Sequence, residues 1–268
     1  MTETRIKRKY VRKNTVTDPI VNEPSMYTIN ERFEFLKDTV LMLANGDQNS
    51  AIICGQGGLG KSHTVNQSMI SAGYEDISKL DDFDVENYPD LKTFRVIKGY
   101  STPKGLYKIL YENRNNVVVF DDCDSVLKDP VSLNLLKGCL DSYSTRIISW
   151  KSFIKDSELP SSFEFTGRVI FISNLPIGGI DQAIISRSMA IDVSMTTKEK
   201  VDRMRYLLTQ DDFMPEHDMI YKIDALNLIE LVMDKIKELS LRTLIQCVTV
   251  RKSNPNNNWK NLATYLMC

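Results

Sequence analysis

A glycine-rich segment at residues 55–62 constrains the fold of this chain more than any other feature of its sequence. The segment consists of Gly55, Gln56, Gly57, Gly58, Leu59, Gly60, Lys61 and Ser62. A glycine, four residues and then Gly-Lys-Ser is the P-loop pattern, in which glycines let consecutive backbone N–H groups converge on phosphate oxygens. An apolar run at Ala51–Cys54 precedes the segment, and a helical pattern at His63–Ile70 follows it. The segment therefore predicts a phosphate-binding loop between a buried strand and a helix.

The end of this loop has side chains that suit a nucleoside triphosphate bound with magnesium. Lys61 is expected to reach the β- and γ-phosphates, and the Ser62 hydroxyl is expected to bind Mg²⁺. The preceding loop residues are expected to surround the phosphates with their backbone N–H groups. His63 follows directly and is included among the candidate ATP-contacting residues, with a plain helix-surface position as the alternative. ATP and Mg²⁺ are therefore the expected cofactors.

An acidic pair follows a second apolar run, Val117–Phe120, and complements the loop. Because α/β sheets bind ligands at the carboxyl ends of their strands, Asp121 and Asp122 are expected beside the P-loop. Asp121 is the candidate Mg²⁺ ligand, through water, and Asp122 is the candidate group that orients or deprotonates the attacking water. Asp124, two positions further on, is expected to belong to a polar loop. The two motifs together predict hydrolysis of ATP.

Short apolar runs alternate with helical stretches before residue 196. The predicted strands are Ala51–Cys54, Phe94–Ile97, Val117–Phe120, Val169–Ile172 and Ala190–Val193. This alternation predicts an α/β fold, a P-loop three-layer αβα sandwich with a five-stranded parallel sheet. From Thr196 onward, amphipathic patterns predict a small all-helical lid. The patterns of the lid are Lys198–Leu208, Ile223–Leu239, Leu241–Val250 and Trp259–Met267.

The predicted organisation has three parts. Residues 1–26 form a basic flexible N-terminal arm, residues 27–195 the nucleotide-binding core, and residues 196–268 the helical lid. The arm concentrates positive charge in a chain whose net charge is −1. Its basic residues are Arg5, Lys7, Arg8, Lys9, Arg12 and Lys13. The core begins with a helical pattern at Ile29–Leu43, for which Asn30 is a candidate N-cap.

Together these motifs resemble the AAA+ ATPase superfamily over roughly residues 27–267. The resemblance implies three further catalytic residues. Asn174, after a fourth apolar run, matches the first sensor, which lies between the two motif strands and bonds the γ-phosphate or the attacking water. Arg187 matches the arginine finger, and Arg242 matches the second sensor of the lid. The structural alternatives are a turn-forming asparagine, a surface arginine that caps a helix and an ordinary charge of the lid.

The resemblance also implies a homo-oligomer, with a ring as the expected form. An arginine finger acts in the site of a neighbouring subunit, because it cannot reach the nucleotide of its own subunit. One position departs from the superfamily pattern, since Asp122 stands where most members have glutamate. Superfamily 3 viral helicases tolerate this Asp-Asp pair, so hydrolysis is still expected, at a slower rate.

Residues 146–167 alternate apolar and polar side chains on both sides of Pro160 and predict a β-hairpin. The segment resembles the insertion before the first sensor in one AAA+ clade, which includes superfamily 3 helicases and ClpX-type unfoldases. In rings of that clade the hairpin projects into the pore. Lys151 or Lys155 would then contact phosphates, and Trp150 would stack on a base. A Trp150 packed in the core is the alternative.

Tyr100 is a second candidate for contact with a polymer, and Lys98 and Lys104 flank it. Protein-threading motors have an aromatic residue at this place, whereas the lysines suit nucleic acid, and a surface turn is the plainest interpretation. The basic arm is a third candidate contact, with a solvated tail as its alternative.

No apolar run suits a membrane span or a signal peptide, so a cytoplasmic location is expected, the host cytoplasm if the source is viral.

Three functions stay open on these patterns. The first is an AAA+ ATPase that remodels or translocates on nucleic acid, as a replication helicase, helicase loader or recombination motor. The second is a protein-remodelling ATPase, for which a dedicated N-terminal adaptor domain would be expected. The third is a nucleotide switch or assembly factor whose slow hydrolysis times its binding.

Overall fold

The computed structural model describes residues 25–80, 90–150, 159–254 and 258–268, and the fold is given for these ranges. Its helices are α1 (Ile29–Asn45), α2 (Lys61–Ser71), α3 (Pro103–Glu112), α4 (Pro130–Cys139), α5 (Gln182–Ile185), α6 (Thr197–Leu207), α7 (Met219–Val232), α8 (Leu241–Ser253) and α9 (Trp259–Met267). Its strands are β1 (Ser50–Cys54), β2 (Glu75–Asp76), β3 (Thr93–Lys98), β4 (Val117–Asp121), β5 (Ile147–Ser149), β6 (Ser162–Glu164), β7 (Arg168–Ser173) and β8 (Met189–Asp192). Each strand predicted for the core is present, with ends that shift by a single residue.

Six strands form one parallel sheet in the order β2, β3, β4, β7, β1 and β8. β7 therefore lies between β1, which leads into the glycine-rich loop, and β4, which leads into the acidic pair. The prediction of five strands is wrong, because the sheet has a sixth strand, β2, at its edge. That strand consists of Glu75 and Asp76, both exposed, so no apolar run in the sequence marks it.

Apolar side chains cover both faces of this sheet, because its strands alternate their side chains between two buried layers. On one face, Val118 and Phe171 pack with residues of α3 and α4. On the other face, Ile53 and Ile170 pack with residues of α1 and α2. The result is the three-layer αβα arrangement that the sequence predicts.

The C-terminal helices enclose a third apolar cluster of their own. Members of this cluster come from α6, α7, α8 and α9, and they include Met204, Ile229, Val248 and Trp259. The helical region that follows the sheet is thus stabilised by packing within itself. Among the described residues, no helix is both long enough and apolar enough to cross a membrane.

The start of α1 differs from the predicted one. Thr28 is the N-cap: its side chain accepts a hydrogen bond from the Glu31 backbone, and the Glu31 carboxylate accepts one from the Thr28 backbone. The prediction that Asn30 caps the helix is wrong, because Asn30 lies within the first turn and accepts a hydrogen bond from Arg203. A threonine with glutamate three positions later is the capping-box signature, and it outweighs a lone asparagine.

The end of α7 also differs from the predicted one. The predicted helix at Ile223–Leu239 is wrong at both ends, since α7 starts four residues earlier, at Met219, and stops at Val232. A single 3₁₀ turn, Met233–Lys235, follows. Met233 and Ile236 still pack against the third apolar cluster, so the apolar pattern continues after the helical backbone ends.

The predicted hairpin is present as an antiparallel pair of β5 and β6. Trp150 follows β5, is partly buried, and packs against Tyr107 with 6.0 Å between ring centroids. Its indole is therefore part of the core packing, which is the alternative to a base-stacking role. Lys151 and Lys155 lie outside the described residues, as does the basic arm at residues 1–13.

Candidate nucleotide-binding site

The glycine-rich loop joins the carboxyl end of β1 to the start of α2, as the sequence predicts. Gly55 has a φ of 147°, and a Cβ at this position would lie 3.1 Å from the backbone nitrogen of Ser194. Only glycine fits this close approach to the backbone that follows β8. Gln56 fixes the same junction, since its side-chain oxygen accepts a 3.0 Å hydrogen bond from the Met195 backbone. The Gln56 side chain therefore points away from the interior of the loop.

Lys61 is buried at the start of α2, and its ammonium closes the loop. It donates to the carbonyl oxygens of Gly55 at 2.6 Å and Gln56 at 2.8 Å, and to Asn174 Oδ1 at 3.0 Å. Burial lowers the pKa of the Lys61 ammonium, and the nearby Asp122 carboxylate opposes this shift. A phosphate placed in the loop would give this buried charge an anionic partner.

Ser62 and Asp121 meet directly, although β4 and α2 are distant in the sequence. The Ser62 hydroxyl donates to Asp121 Oδ1 at 2.7 Å, and the Asp121 side chain is 5% exposed. The second carboxylate oxygen lies 3.2 Å from the ammonium of Lys98. Hydroxyl and carboxylate oxygens are the donors that Mg²⁺ prefers, so these two side chains fit the predicted metal.

Asp122 and Asn174 form a second contact at the ends of β4 and β7. Asn174 Nδ2 donates to Asp122 Oδ1 at 2.8 Å, and the same asparagine accepts from Lys61 through Oδ1. Asp122 has a φ of 57°, a left-handed conformation that is uncommon for a residue with a side chain. Its backbone N–H donates to the carbonyl of Ile172 at 3.0 Å, which holds that conformation in place. The carboxylate and amide therefore lie together at the mouth of the loop.

Asp124 is not simply part of a polar loop. Its carboxylate accepts a 2.6 Å hydrogen bond from the hydroxyl of Ser173, the residue before Asn174. The Ser173 hydroxyl in turn accepts from the Leu175 backbone N–H at 3.0 Å. Asp124 thus fixes the backbone on both sides of Asn174.

The C-terminal helices contact the loop through the start of α8. The Leu241 backbone N–H donates to the Gly58 carbonyl at 3.0 Å. Arg242, the next residue, lies against Gly58 and lines a cavity of about 840 Å³ between the loop and α8. Other predicted residues that line this cavity are Gly57, Gly58, Leu59, Gly60, Lys61, Ser62, His63, Asp122 and Asn174. A cavity of this volume is large enough for a nucleotide.

Gly58 offers a test of the contact between the loop and α8. It has a φ of 70°, and a Cβ there would lie 3.1 Å from Ser240 Cβ. Gly73 has a φ of 81° with nothing within 4 Å, so it is the matched control. We expect Gly73→Ala to lower the free energy of unfolding by about 1–2 kcal/mol through backbone strain. Gly58→Ala should cost about 1 kcal/mol or more beyond that, because Ser240 must move. Equal losses in urea unfolding would contradict the contact.

Arg187 lies away from the cavity. Gly55, Gln56 and Asp121 do not line the cavity either, but each is hydrogen-bonded to Lys61 or Ser62, which do. The Arg187 backbone carbonyl accepts a 2.8 Å hydrogen bond from Ser50, the first residue of β1, whereas the glycine-rich loop follows the last residue of that strand. The two ends of β1 are about 13 Å apart at the rise of a parallel strand. The guanidinium is exposed and donates to the carbonyl of Ala183 at 3.0 Å. Arg187 therefore lies at the edge of the sheet formed by the amino ends of the strands. The glycine-rich loop of its own chain lies at the opposite edge, formed by their carboxyl ends.

The sequence patterns missed Lys98 as a residue of this site. Lys98 and Asp121 are register partners at the ends of the adjacent strands β3 and β4. Both directly follow predicted apolar runs, so a predicted strand order would have identified them as neighbours. Asp124 carried no comparable signal, because its partner Ser173 is set by tertiary structure alone.

Comparisons with known proteins leave the family and the activity of this chain open. No protein-family model matches the chain. It is 28% identical over 256 residues to an uncharacterised 36.7 kDa protein encoded in the nrdC–mobD intergenic region of Enterobacteria phage T4, covering 88% of this chain and 73% of the relative. Among solved structures, it is similar to PCH-2 of C. elegans, with a TM-score of 0.41 and 12% identity, over 88% of this chain and 66% of PCH-2, just under two thirds. The strand order and the helices of the chain itself give an α/β fold, in which helices flank a parallel six-stranded sheet and a helical region follows.

Proposed function

We propose that this chain is an AAA+ ATPase that binds ATP with Mg²⁺ in the cavity between the glycine-rich loop and α8. The single observation that supports this most strongly is the hydrogen-bonded chain from Lys61 through Asn174 to Asp122. It joins the end of the loop to the two neighbouring strands in the sheet. A cation for phosphates and a carboxylate for water are then held on opposite sides of one amide.

Each residue of the site would have a separate role in the hydrolysis of ATP. The Lys61 ammonium would transfer its hydrogen bonds from the loop carbonyls to the β- and γ-phosphate oxygens of ATP. Asn174 would orient the water that attacks the γ-phosphorus, and Asp122 would accept its proton. The bond from the γ-phosphorus to the bridging oxygen would break, and ADP would leave. Mg²⁺, held by Ser62 and Asp121, would neutralise negative charge on the β- and γ-phosphates. The aspartate at position 122 is one methylene shorter than the usual glutamate, which favours slow turnover.

Arg187 gives the reason to propose an oligomer. It lies at the edge of the sheet opposite the loop, and its exposed guanidinium bonds only within its own turn among the described contacts. A second copy that brings this edge to the cavity would place the arginine beside the γ-phosphate. Repetition of such a head-to-tail contact gives a ring when the rotation between neighbouring copies closes on itself.

The proposed assignment to the AAA+ superfamily rests on the places of the two candidate sensors and of the hairpin in the fold. Asn174 directly follows β7, which runs between the strands of the two nucleotide motifs, as the strand before the first sensor of AAA+ proteins does. Arg242 lines the cavity from the lid, as the second sensor does. The hairpin of β5 and β6 before the sensor strand supports the clade that contains superfamily 3 helicases.

We further propose that nucleic acid is the polymer on which this ATPase acts. Tyr100 is 80% exposed and follows β3, at the same edge of the sheet as the candidate magnesium ligands. A flat exposed ring beside lysines suits stacking on a base, with phosphates contacted by the cations. Lys151, Lys155 and the basic arm belong to the same proposal.

One experiment tests both the ATPase and its polymer. Phosphate release from ATP is measured with EDTA or Mg²⁺, and then with single-stranded DNA, duplex DNA, RNA or an unfolded protein. We expect release only with Mg²⁺, and stimulation by a nucleic acid. Tyr100→Ala should raise the concentration of that nucleic acid needed for half-maximal stimulation about tenfold. Phosphate release without nucleic acid should stay unchanged. Tyr265→Ala is the matched control, because Tyr265 is equally exposed but lies in α9. Stimulation by unfolded protein alone would contradict the nucleic-acid proposal.

A further inference from the structure

Lys98 is the one cation that pairs with the candidate magnesium ligand Asp121 in the described part of the chain. It is the last residue of β3, and its backbone pairs with Asp121 across the parallel ladder. Its ammonium lies 3.2 Å from Asp121 Oδ2, while Oδ1 accepts from Ser62. Both oxygens of this carboxylate are therefore engaged by groups of the chain itself.

The two partners of this ion pair differ in their freedom to move. The Asp121 side chain is 5% exposed and fixed by its strand, whereas the Lys98 side chain is 71% exposed. A cation that arrives at Asp121 would therefore displace the lysine and leave the carboxylate in place. The charge balance favours this exchange, since a divalent ion and an ammonium repel each other at one carboxylate.

Lys98 also begins the loop that displays Tyr100. Gly99 has a φ of 90°, and nothing lies within 4 Å of a Cβ built there, so the chain turns at Gly99 without contacts at that position. The loop ends at Thr102, whose hydroxyl accepts from the Gly105 backbone at 3.1 Å and caps α3. Besides the backbone pairing of Lys98 with Asp121, the ion pair of Lys98 is the contact among the described residues that links the loop to the metal ligands.

We propose that Lys98 is an internal cation that competes with Mg²⁺ for Asp121, so that metal binding releases the loop of residues 98–102. The proposal rests on the proposed binding of ATP with Mg²⁺ at this site. In the metal-free protein, Lys98 balances the charge of Asp121 and holds the loop against the end of β4. In the metal-bound protein, Lys98 turns to solvent and the Tyr100 loop is free to engage a polymer.

The first test compares nucleotide affinity with and without metal. A fluorescent non-hydrolysable ATP analogue is titrated into wild type, Lys98→Met and Lys108→Met, in EDTA and in saturating Mg²⁺. The dissociation constant in EDTA is divided by the dissociation constant in Mg²⁺. This ratio should be at least about threefold larger for Lys98→Met than for wild type, because Mg²⁺ no longer has to displace the lysine. Lys108→Met should match wild type, because Lys108 pairs with Glu112 on the surface of α3. Methionine keeps most of the side-chain length and removes the charge.

The outcomes separate the two proposals. If wild type does not bind the analogue in either condition, the proposed nucleotide site itself is wrong. If all three proteins bind and share one ratio, nucleotide binding stands and the competition by Lys98 is wrong. If Lys98→Met weakens binding equally with EDTA and Mg²⁺, Lys98 is a phosphate ligand and the competition is again wrong.

A second measurement follows the loop rather than the affinity. Hydrogen exchange of residues 98–102 is compared in analogue-bound protein before and after addition of Mg²⁺. We expect exchange to accelerate in wild type, and to be fast under both conditions in Lys98→Met. Unchanged exchange in wild type would show that the loop is not released and would overturn the proposal.

Discussion

Lys61→Ala is expected to weaken ATP binding by about a hundredfold or more. The substitution removes the buried ammonium that bonds the carbonyls of Gly55 and Gln56 and would bond the phosphates. Hydrogen bonds from a charged donor contribute about 1.5–3 kcal/mol each, and about 1.4 kcal/mol is a tenfold change in affinity. The measurement is titration of a fluorescent ATP analogue in Mg²⁺, together with urea unfolding without nucleotide.

Lys61→Met is the matched variant, because it keeps most of the hydrocarbon stem and removes the charge. It should bind ATP as weakly as Lys61→Ala while losing less free energy of unfolding. A large loss of binding that tracks the loss of stability would indicate a folding defect. Wild-type affinity in either variant would show that the glycine-rich loop does not hold the phosphates.

Local patterns were sufficient to predict five of the six strands of the parallel sheet, and with them the places of the candidate ligands. The central strands of the sheet contain runs of mainly apolar residues, and candidate ligands lie at the carboxyl ends of these runs, as Asp121 does after Phe120. Parallel strands bring their carboxyl ends to one edge, so residues that follow such runs converge. That geometry explains why Asn174 contacts both Lys61 and Asp122 in the structure.

Contacts that depend on the register of two elements could not be predicted in this way. The pair of Lys98 and Asp121 needs the order of β3 and β4, and the bond of Asp124 to Ser173 needs the order of β4 and β7. The position of Trp150 depends on the packing of the hairpin against Tyr107 in α3. In each case the sequence supplies the residue type, and the partner is chosen by tertiary structure.

Asp122→Asn and Arg187→Ala are each expected to bind ATP normally and to lose hydrolysis. Asparagine tolerates the left-handed φ of 57° at position 122, so the change removes the basic oxygen without added backbone strain. Loss of a general base lowers turnover by about 10²–10⁴-fold, and loss of an arginine finger by about 10³–10⁵-fold. Because the Arg187 guanidinium is exposed, its removal should change the free energy of unfolding little. Phosphate release and analogue titration measure the two effects separately.

Mixing these two inactive variants tests most directly whether the chain hydrolyses ATP at an interface between copies. In an equal mixture, about a quarter of the head-to-tail interfaces would combine an intact Asp122 with an intact Arg187 from the neighbour. We therefore expect phosphate release to reappear on mixing, at up to about a quarter of the wild-type rate, and to increase with protein concentration. Phosphate release that stays at the level of the separate variants, while wild type is active, would contradict catalysis in trans by Arg187.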